Sequence, residues 1–167
     1  MSQRRPLALI GFMGCGKSTV GRRVSELAAA PYFDLDQMIE EASRLPIGTY
    51  IARHGEAAFR ALESELLPSA LRPGAVASLG GGTPMSNASW RLLRDRARTV
   101  YLAAPLKVML NRAGVPLERP LLAGRSEQDI EALWWERLPR YQAADARVDA
   151  TRPIEEVAQE VLALWDS

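Results

Sequence analysis

The chain of 167 residues contains one cysteine, one histidine and two lysines. With Cys15 as the sole thiol no intrachain disulfide can form, and Cys15 with His54 cannot assemble a Cys/His zinc cluster. A Cys–His nucleophilic pair is formally available, but Cys15 already has another context, given below. No apolar run approaches the roughly 20 residues that a membrane span requires. Charge of one sign is also missing: 21 Lys+Arg stand against 20 Asp+Glu, a formal net charge of +1. That balance gives no whole-chain case for nucleic acid or an anionic membrane as a partner. Arginine supplies almost all the positive charge, which codon bias in a GC-rich genome explains without function. Arg4-Arg5 ahead of the apolar stretch Leu7 to Cys15 imitates a signal peptide, yet Lys17 and Ser18 follow directly and no A-x-A-like cleavage site does. The expectation is an unprocessed cytoplasmic protein, and the lack of disulfides fits that compartment.

What is present is ordinary globular composition, 47% hydrophobic and 25% charged, of a length that suits one domain. No repeat, low-complexity tract or long linker divides it. Short apolar runs at Leu7–Ile10, Tyr32–Asp34, Val76–Leu79, Thr99–Leu102 and Arg147–Asp149 lack polar alternation, as strands covered on both faces do. The last is the weakest, since only Val148 strongly favours a strand. Amphipathic stretches fall between them: Val20–Ala30, Asp36–Arg44, Glu56–Leu71, Ser86–Asp95, Pro105–Arg112, about Glu127–Leu138 and Pro153–Trp165. The alternation predicts an α/β fold with a parallel sheet. Ser86 or Asn87 is the expected cap of its helix, Pro105 and Pro153 suit first-turn positions, and Pro139 should kink or end the helix near Leu138. Trp134 is expected to pack in the core and Trp135 to be exposed. Pro46–His54 and the Arg-bearing loop 112–125 read as insertions, the second a plausible cover over an anionic ligand.

Gly11-Phe12-Met13-Gly14-Cys15-Gly16-Lys17-Ser18 matches G-x-x-x-x-G-K-[ST], with a strand leading in and a helix leading out. Glycines let backbone N–H groups curl around an anion without Cβ obstruction, and the helix N-terminus adds dipole and donors. Gly14, Cys15, Gly16, Lys17, Ser18 and Thr19 are therefore the phosphate-binding candidates, with Lys17 on the β/γ-phosphates and the Ser18 hydroxyl on Mg²⁺. The guanine-specific N-K-x-D and the switch string D-x-x-G are both absent, so ATP is the expected nucleotide. A thiol at a helix N-terminus also leaves a redox role for Cys15 open. Asp34 and Asp36 end the second strand, and on an extended chain i and i+2 face one way. Such a pair suits a metal and a substrate hydroxyl; the plainer alternative is that Asp36 caps the following helix. Gly80-Gly81-Gly82 after an apolar strand favours close approach to a ligand over packing, although a flexible turn would look the same. Arg60, flanked by Glu56 and Glu63, is either a solvated ion-pair face or an arginine held for an anion. Arg137 lies on the apolar stripe of its helix, either aimed into a site or packing its stem beneath an exposed head. His54 reads as a plain loop histidine.

Together, the phosphate loop with Thr19-Val20-Gly21-Arg22, the Asp34-Leu35-Asp36 pair, Gly55-Glu56-x-x-Phe59-Arg60-x-x-Glu63, Ser78-Leu79-Gly80-Gly81-Gly82, Arg119-Pro120-Leu121-Leu122 and Arg137-x-x-x-Tyr141 resemble the shikimate kinases. The resemblance runs from Leu7 to the last helix. It implies a nucleoside-monophosphate-kinase-like P-loop fold: a five-stranded parallel sheet flanked by helices, a substrate-binding subdomain at about 34–62 and a mobile lid at about 112–126. It implies ATP- and Mg²⁺-dependent phosphorylation of the 3-hydroxyl of shikimate, a step of aromatic biosynthesis. By that resemblance Asp36, Lys17 and Arg119 are catalytic. Asp36, Arg60, Gly81, Gly82 and Arg137 bind the acceptor, with the two arginines on its carboxylate. Ser18 and Asp34 serve the metal. By the same resemblance Arg112 and Arg152 are expected on the adenine side, and Arg119 in the lid is expected to reach the phosphates. Ser78 stands where many P-loop enzymes have a metal-binding aspartate. Tyr50-Ile51-Ala52, the short stretch from Tyr141 to Asp149 and Trp134-Trp135 depart from the family pattern. The competing functions are a kinase for another hydroxy acid such as gluconate, and a non-catalytic ATP-binding regulatory module. A monomer acting on a small molecule is expected, with no nucleic-acid or membrane partner.

Overall fold

Apolar runs too short for helices pair laterally wherever both faces can be covered. In the computed structural model, which describes residues 3–113 and 125–167, five of them form one parallel sheet: β1 (Leu7–Ile10), β2 (Tyr32–Asp34), β3 (Val76–Ser78), β4 (Arg98–Ala103) and β5 (Ala146–Asp149), in the order β2-β3-β1-β4-β5. The strand in the middle, β1, is buried at all four residues, and β3 is buried throughout. Leu7 lies beside Val76 on one side and Arg98 on the other. The edge strands are less covered; in β5 only Val148 is buried, which accounts for its faint sequence signal.

The helices are α1 (Lys17–Ala28), α2 (Leu35–Ser43), α3 (Ile47–His54), α4 (Glu56–Ala70), α5 (Asn87–Arg96), α6 (Leu106–Ala113), α7 (Glu127–Gln142) and α8 (Ile154–Asp166). Helix α1 packs on α8 and on β3. Gly21 permits that approach, since a Cβ there would lie 2.6 Å from Ser78 Oγ and 2.8 Å from Tyr32 Cε2. Ser86 caps α5 through its Oγ, which accepts the Ser89 N–H at 3.4 Å.

Several expectations need correction. Within Pro46–His54, read above as an insertion without an assigned helix, Ile47–His54 is α3, whose Tyr50 and His54 rings meet at 4.7 Å between centroids. Pro139 does not end α7, which continues to Gln142. The carbonyl that Pro139 leaves without its helical donor belongs to Trp135, which is exposed and within reach of water. Pro153 is the cap before α8 rather than a first-turn residue. Asp36 does not cap α2; Asp34 does, its Oδ1 accepting the Gln37 N–H at 3.2 Å. Because α2 begins at Leu35, the two carboxylates sit on a strand end and a helix start rather than on one extended face. Trp134 is only half-buried at the edge of the core, and Trp135 is 58% exposed. Among the described residues no helix is long and apolar enough to cross a membrane.

Candidate active site

Parallel strands end together, so the segments that follow β1, β2 and β3 meet at the carboxyl edge of the sheet. There they enclose a cavity of about 700 Å³. The loop after β1 supplies one wall. Gly11, Gly14 and Gly16 have φ of 152°, 69° and 95°, values that side chains rarely adopt. A Cβ on Gly14 would also overlap the Met109 carbonyl of α6. The loop thus lies directly on α6, and its residues from Met13 to Thr19 line the cavity. Lys17 Nζ crosses it, donating to the carbonyls of Gly11 at 2.8 Å and Phe12 at 3.1 Å. Ser18 and Thr19 line the same wall. Cys15 is buried, 1% exposed, with Sγ 3.7 Å from Lys17 Nζ. Its side chain is packed inward, so only its backbone can serve an anion, and the access that a redox sensor needs is missing.

Asp34 stands opposite. Ser18 Oγ donates to Asp34 Oδ2 at 2.8 Å, so a hydroxyl and a carboxylate meet beside the phosphate loop. Hard oxygen donors of this kind suit Mg²⁺, which keeps much of its water and needs few protein ligands. No group of three or more His, Cys, Asp or Glu placed to hold a metal occurs among the described residues. Ser78, at the aspartate position of other P-loop enzymes, plays a supporting part instead. Its Oγ donates to the Lys17 carbonyl at 2.8 Å and accepts from Tyr32 Oη at 3.0 Å, tying α1 to the sheet. Burial pushes the Tyr32 hydroxyl above the usual tyrosine range.

Asp36, Arg60 and Arg137 all line the cavity. Asp36 belongs to the first turn of α2, and a Cβ on Gly80 would lie 3.1 Å from its Oδ1. Arg60 Nη1 donates to both oxygens of Glu63, at 3.0 and 3.1 Å. Glu63 is 2% exposed and also accepts from Thr83 Oγ1 at 3.0 Å. Arg60 also meets the exposed Glu56 at 3.8 Å, so it has one solvated and one internal carboxylate partner, and its guanidinium borders the cavity. Gly82 lies beneath that guanidinium, where a Cβ would come within 2.8 Å of Arg60 Cζ. Gly81 touches Arg137, whose Nη1 would be 3.1 Å from a Cβ there. Side chains at Gly81 and Gly82 would thus have to displace the two guanidinium groups packed against them, and one at Gly80 would crowd Asp36 and Thr83.

Around the outer rim, Arg112 Nη1 donates to the Ala150 carbonyl at 2.8 Å. Arg152 pairs with Glu160 and donates through Nε to the Asp149 carbonyl at 3.3 Å. Both line the cavity with Ile154 and Val157. Arg119 and most of the expected lid, 112–126, lie outside the described residues. Sequence reasoning missed Thr83 as the second partner of Glu63, the Tyr32–Ser78 support, and Glu40, Ile47 and Gly48 on the cavity wall. For Ile47 the signal was present, as Pro46 ahead of an apolar i, i+3, i+4 pattern at Ile47, Tyr50 and Ile51 reads as a helix start.

Comparison with known proteins meets this geometry. A family model described as "Shikimate kinase" matches residues 13–165. The chain is 40% identical over 144 residues to the shikimate kinase of Moorella thermoacetica, covering 86% of this chain and 83% of that one. A solved shikimate kinase from Acinetobacter baumannii in complex with shikimate superposes with a TM-score of 0.88 at 31% identity, over 96% of this chain and 92% of the other. A gluconokinase from Sinorhizobium meliloti shares the fold alone, with a TM-score of 0.64 at 17% identity over 99% and 94% of the two chains.

Proposed function

The chain belongs to the shikimate kinase family, and on that premise we propose that it transfers the γ-phosphoryl group of ATP to the 3-hydroxyl of shikimate. The observation that carries this reading is the lining of one cavity, which combines the phosphate loop, the two arginines Arg60 and Arg137, and Asp36. Planar guanidinium is well matched to a carboxylate, so Arg60, steadied by Glu63, and Arg137 grip the acid group of the acceptor. Gly81 and Gly82 meet it with backbone. Asp36 orients the reacting hydroxyl and takes its proton as the oxygen bonds to the γ-phosphorus; the bond to the β-phosphate oxygen breaks and ADP leaves. The amides from Gly14 to Thr19 and the Lys17 ammonium offset charge on the phosphates. Ser18 and Asp34 would hold Mg²⁺, which when bound neutralises phosphate charge.

Arg119 is assigned to the phosphates, Arg112 and Arg152 to the adenine side. The region at about 34–62 is assigned as the acceptor subdomain and 112–126 as the lid. Asp34, Asp36, Ile47, Phe59 and Arg60 on the cavity wall support the first of these. We further take the protein to act as a cytoplasmic monomer on small molecules. Among the described residues only Trp135 and Ile154 are exposed large hydrophobics, which supports the monomer.

The deciding assay follows ADP release from ATP and Mg²⁺ with shikimate, with D-gluconate, or with no acceptor. Stimulation by shikimate alone, with product phosphorylated at the 3-hydroxyl, is expected. Hydrolysis without acceptor, or stimulation by gluconate, would overturn the assignment of the arginine pair.

A further inference from the structure

Tyr141 is fully enclosed, and the transfer described above makes no use of it. Its hydroxyl donates to the Gly81 carbonyl at 2.6 Å. Its ring stacks on Tyr101 of β4, with centroids 5.4 Å apart and planes at 22°. Arg137 lies one turn earlier on the same face of α7. Burial holds the hydroxyl far above the usual tyrosine range, so it remains a donor across the working pH. Gly81 is hemmed in on three sides: a Cβ there would lie 3.1 Å from Arg137 Nη1, 3.4 Å from Tyr141 Oη and 3.5 Å from the Gly11 carbonyl.

The bonded carbonyl is the central one of a β-turn. Thr83 N donates to Gly80 O at 3.1 Å, which closes the turn with Gly81 and Gly82 in the middle. Gly82 has φ −89° and ψ −10°, the third-position values of a type I turn. A type II turn has the same ends, but its central peptide is rotated by about half a turn and its third residue sits near φ +80°. For most residues that alternative is closed; for glycine it is open at no steric cost. The Gly81-Gly82 pair therefore leaves the peptide plane unspecified by the local chain. Carbonyl and amide are trans across a planar peptide, so a flip exchanges the partial negative oxygen for the partial positive amide on the side away from Tyr141. For an anionic acceptor beside Arg60 and Arg137, that exchange reverses the local dipole.

We propose that Tyr141 is a positioning residue for the acceptor: its hydroxyl holds the Gly80–Thr83 turn in the type I form, keeping the Gly82 amide on the side away from Tyr141. The inference rests on the acceptor-site reading above, since a turn without an anion to meet would need no fixed plane. Loss of the hydroxyl lets the turn divide between two forms, and the apparent affinity for the acid falls in proportion to the fraction that stays competent.

Tyr141→Phe keeps ring and stacking and removes the donor; Tyr101→Phe, which strips a hydroxyl from the partner ring, is the control. The expected result is a KM for shikimate raised about tenfold in the Tyr141 variant, as for a turn competent about a tenth of the time. KM for ATP and kcat at saturating acid should stay within about twofold, and the control should behave as wild type. An unchanged acid KM, a parallel rise in both KM values, or a Tyr141→Phe chain that does not fold would each overturn the proposal. The Gly82 amide resonance in ¹⁵N-labelled protein reads the turn without turnover. A signal broadened or displaced by exchange in Tyr141→Phe supports the proposal, and an unaltered one refutes it. Should the wild type fail to phosphorylate shikimate, the reaction assignment falls while the Gly82 signal still judges the turn.

Discussion

Ser18 Oγ and Asp34 Oδ2 are joined by a 2.8 Å hydrogen bond across the mouth of the phosphate loop. The other oxygen of Asp34 caps α2 through the Gln37 amide. One carboxylate thus starts a helix and meets the Ser18 hydroxyl, and the proposed metal role can be separated from the cap by substitution.

Asparagine caps helices as well as aspartate does, so Asp34→Asn should retain the thermal midpoint within a few degrees. It loses the charge that attracts Mg²⁺. The Mg²⁺ concentration giving half-maximal rate should rise about tenfold or more, and a titration of activity against Mg²⁺ checks this. An unaltered titration would remove Asp34 from the metal.

Asp36→Asn should leave ATP binding nearly intact and lower kcat about 100-fold, the scale of a positioned acid or base. Calorimetric titration with ATP and steady-state turnover test the two halves separately. Near-normal turnover would strip Asp36 of its role.

Glu63→Gln takes away the charge that faces Arg60 inside the protein. Breaking such an internal pair commonly costs about 3 kcal/mol, visible as a lowered midpoint in urea unfolding. Arg60 also loses its anchor, so KM for the acceptor should rise while KM for ATP stays put. A variant with wild-type stability would mean that Glu56 and solvent suffice to hold the arginine.

Gly14→Ala combines a left-handed backbone, which costs a side chain about 1–2 kcal/mol, with overlap on the Met109 carbonyl. Loop and α6 must separate. Nucleotide affinity should fall by more than about tenfold, whereas Gly74→Ala, with nothing near its Cβ, should lose only the backbone part of the stability. Equal effects in the two would show that the contact with α6 is unimportant.

Tyr32, Tyr101 and Tyr141 all have hydroxyls pushed up, chiefly by burial. A raised native pKa contributes stability in full below the unfolded value near 10, and loses it as pH climbs from there toward the native values. Denaturant unfolding should therefore show a fall in stability beginning at about pH 10. Replacing Tyr141 by Phe should shallow that fall, because one of the buried protons has been removed from the balance.

The sequence by itself determined the strands, seven of the eight helices and the phosphate loop, because each depends on local chemistry: β-favouring runs, 3.6-residue periodicity, and glycines where φ is positive. Tertiary context corrected it where neighbours outweigh local preference. Pro139 sits inside α7, where the carbonyl it disables belongs to the exposed residue Trp135, while Tyr141 beyond it is anchored in the core. Asp34 rather than Asp36 caps α2 because the chain turns helical one residue earlier than an extended reading allows.

The candidate site divides in the same way. The placement of Lys17 and Ser18 was legible because they belong to a motif whose backbone dictates where they go, whereas the Asp34–Asp36 pair was located at the right strand end but not on one extended face. Arg60 was ambiguous because i, i+3 and i, i+4 carboxylates look alike whether the helix face meets water or a cavity; only the fold shows that Glu56 is exposed while Glu63 is buried and bonded to Thr83, 20 residues on. That Gly82 lies under Arg60, Gly81 against Arg137, and the Tyr141 hydroxyl on the turn between them follows from no spacing along the chain. Those contacts join residues roughly 20 to 60 positions apart, and only the packing of α4 and α7 around the end of β3 brings them into reach.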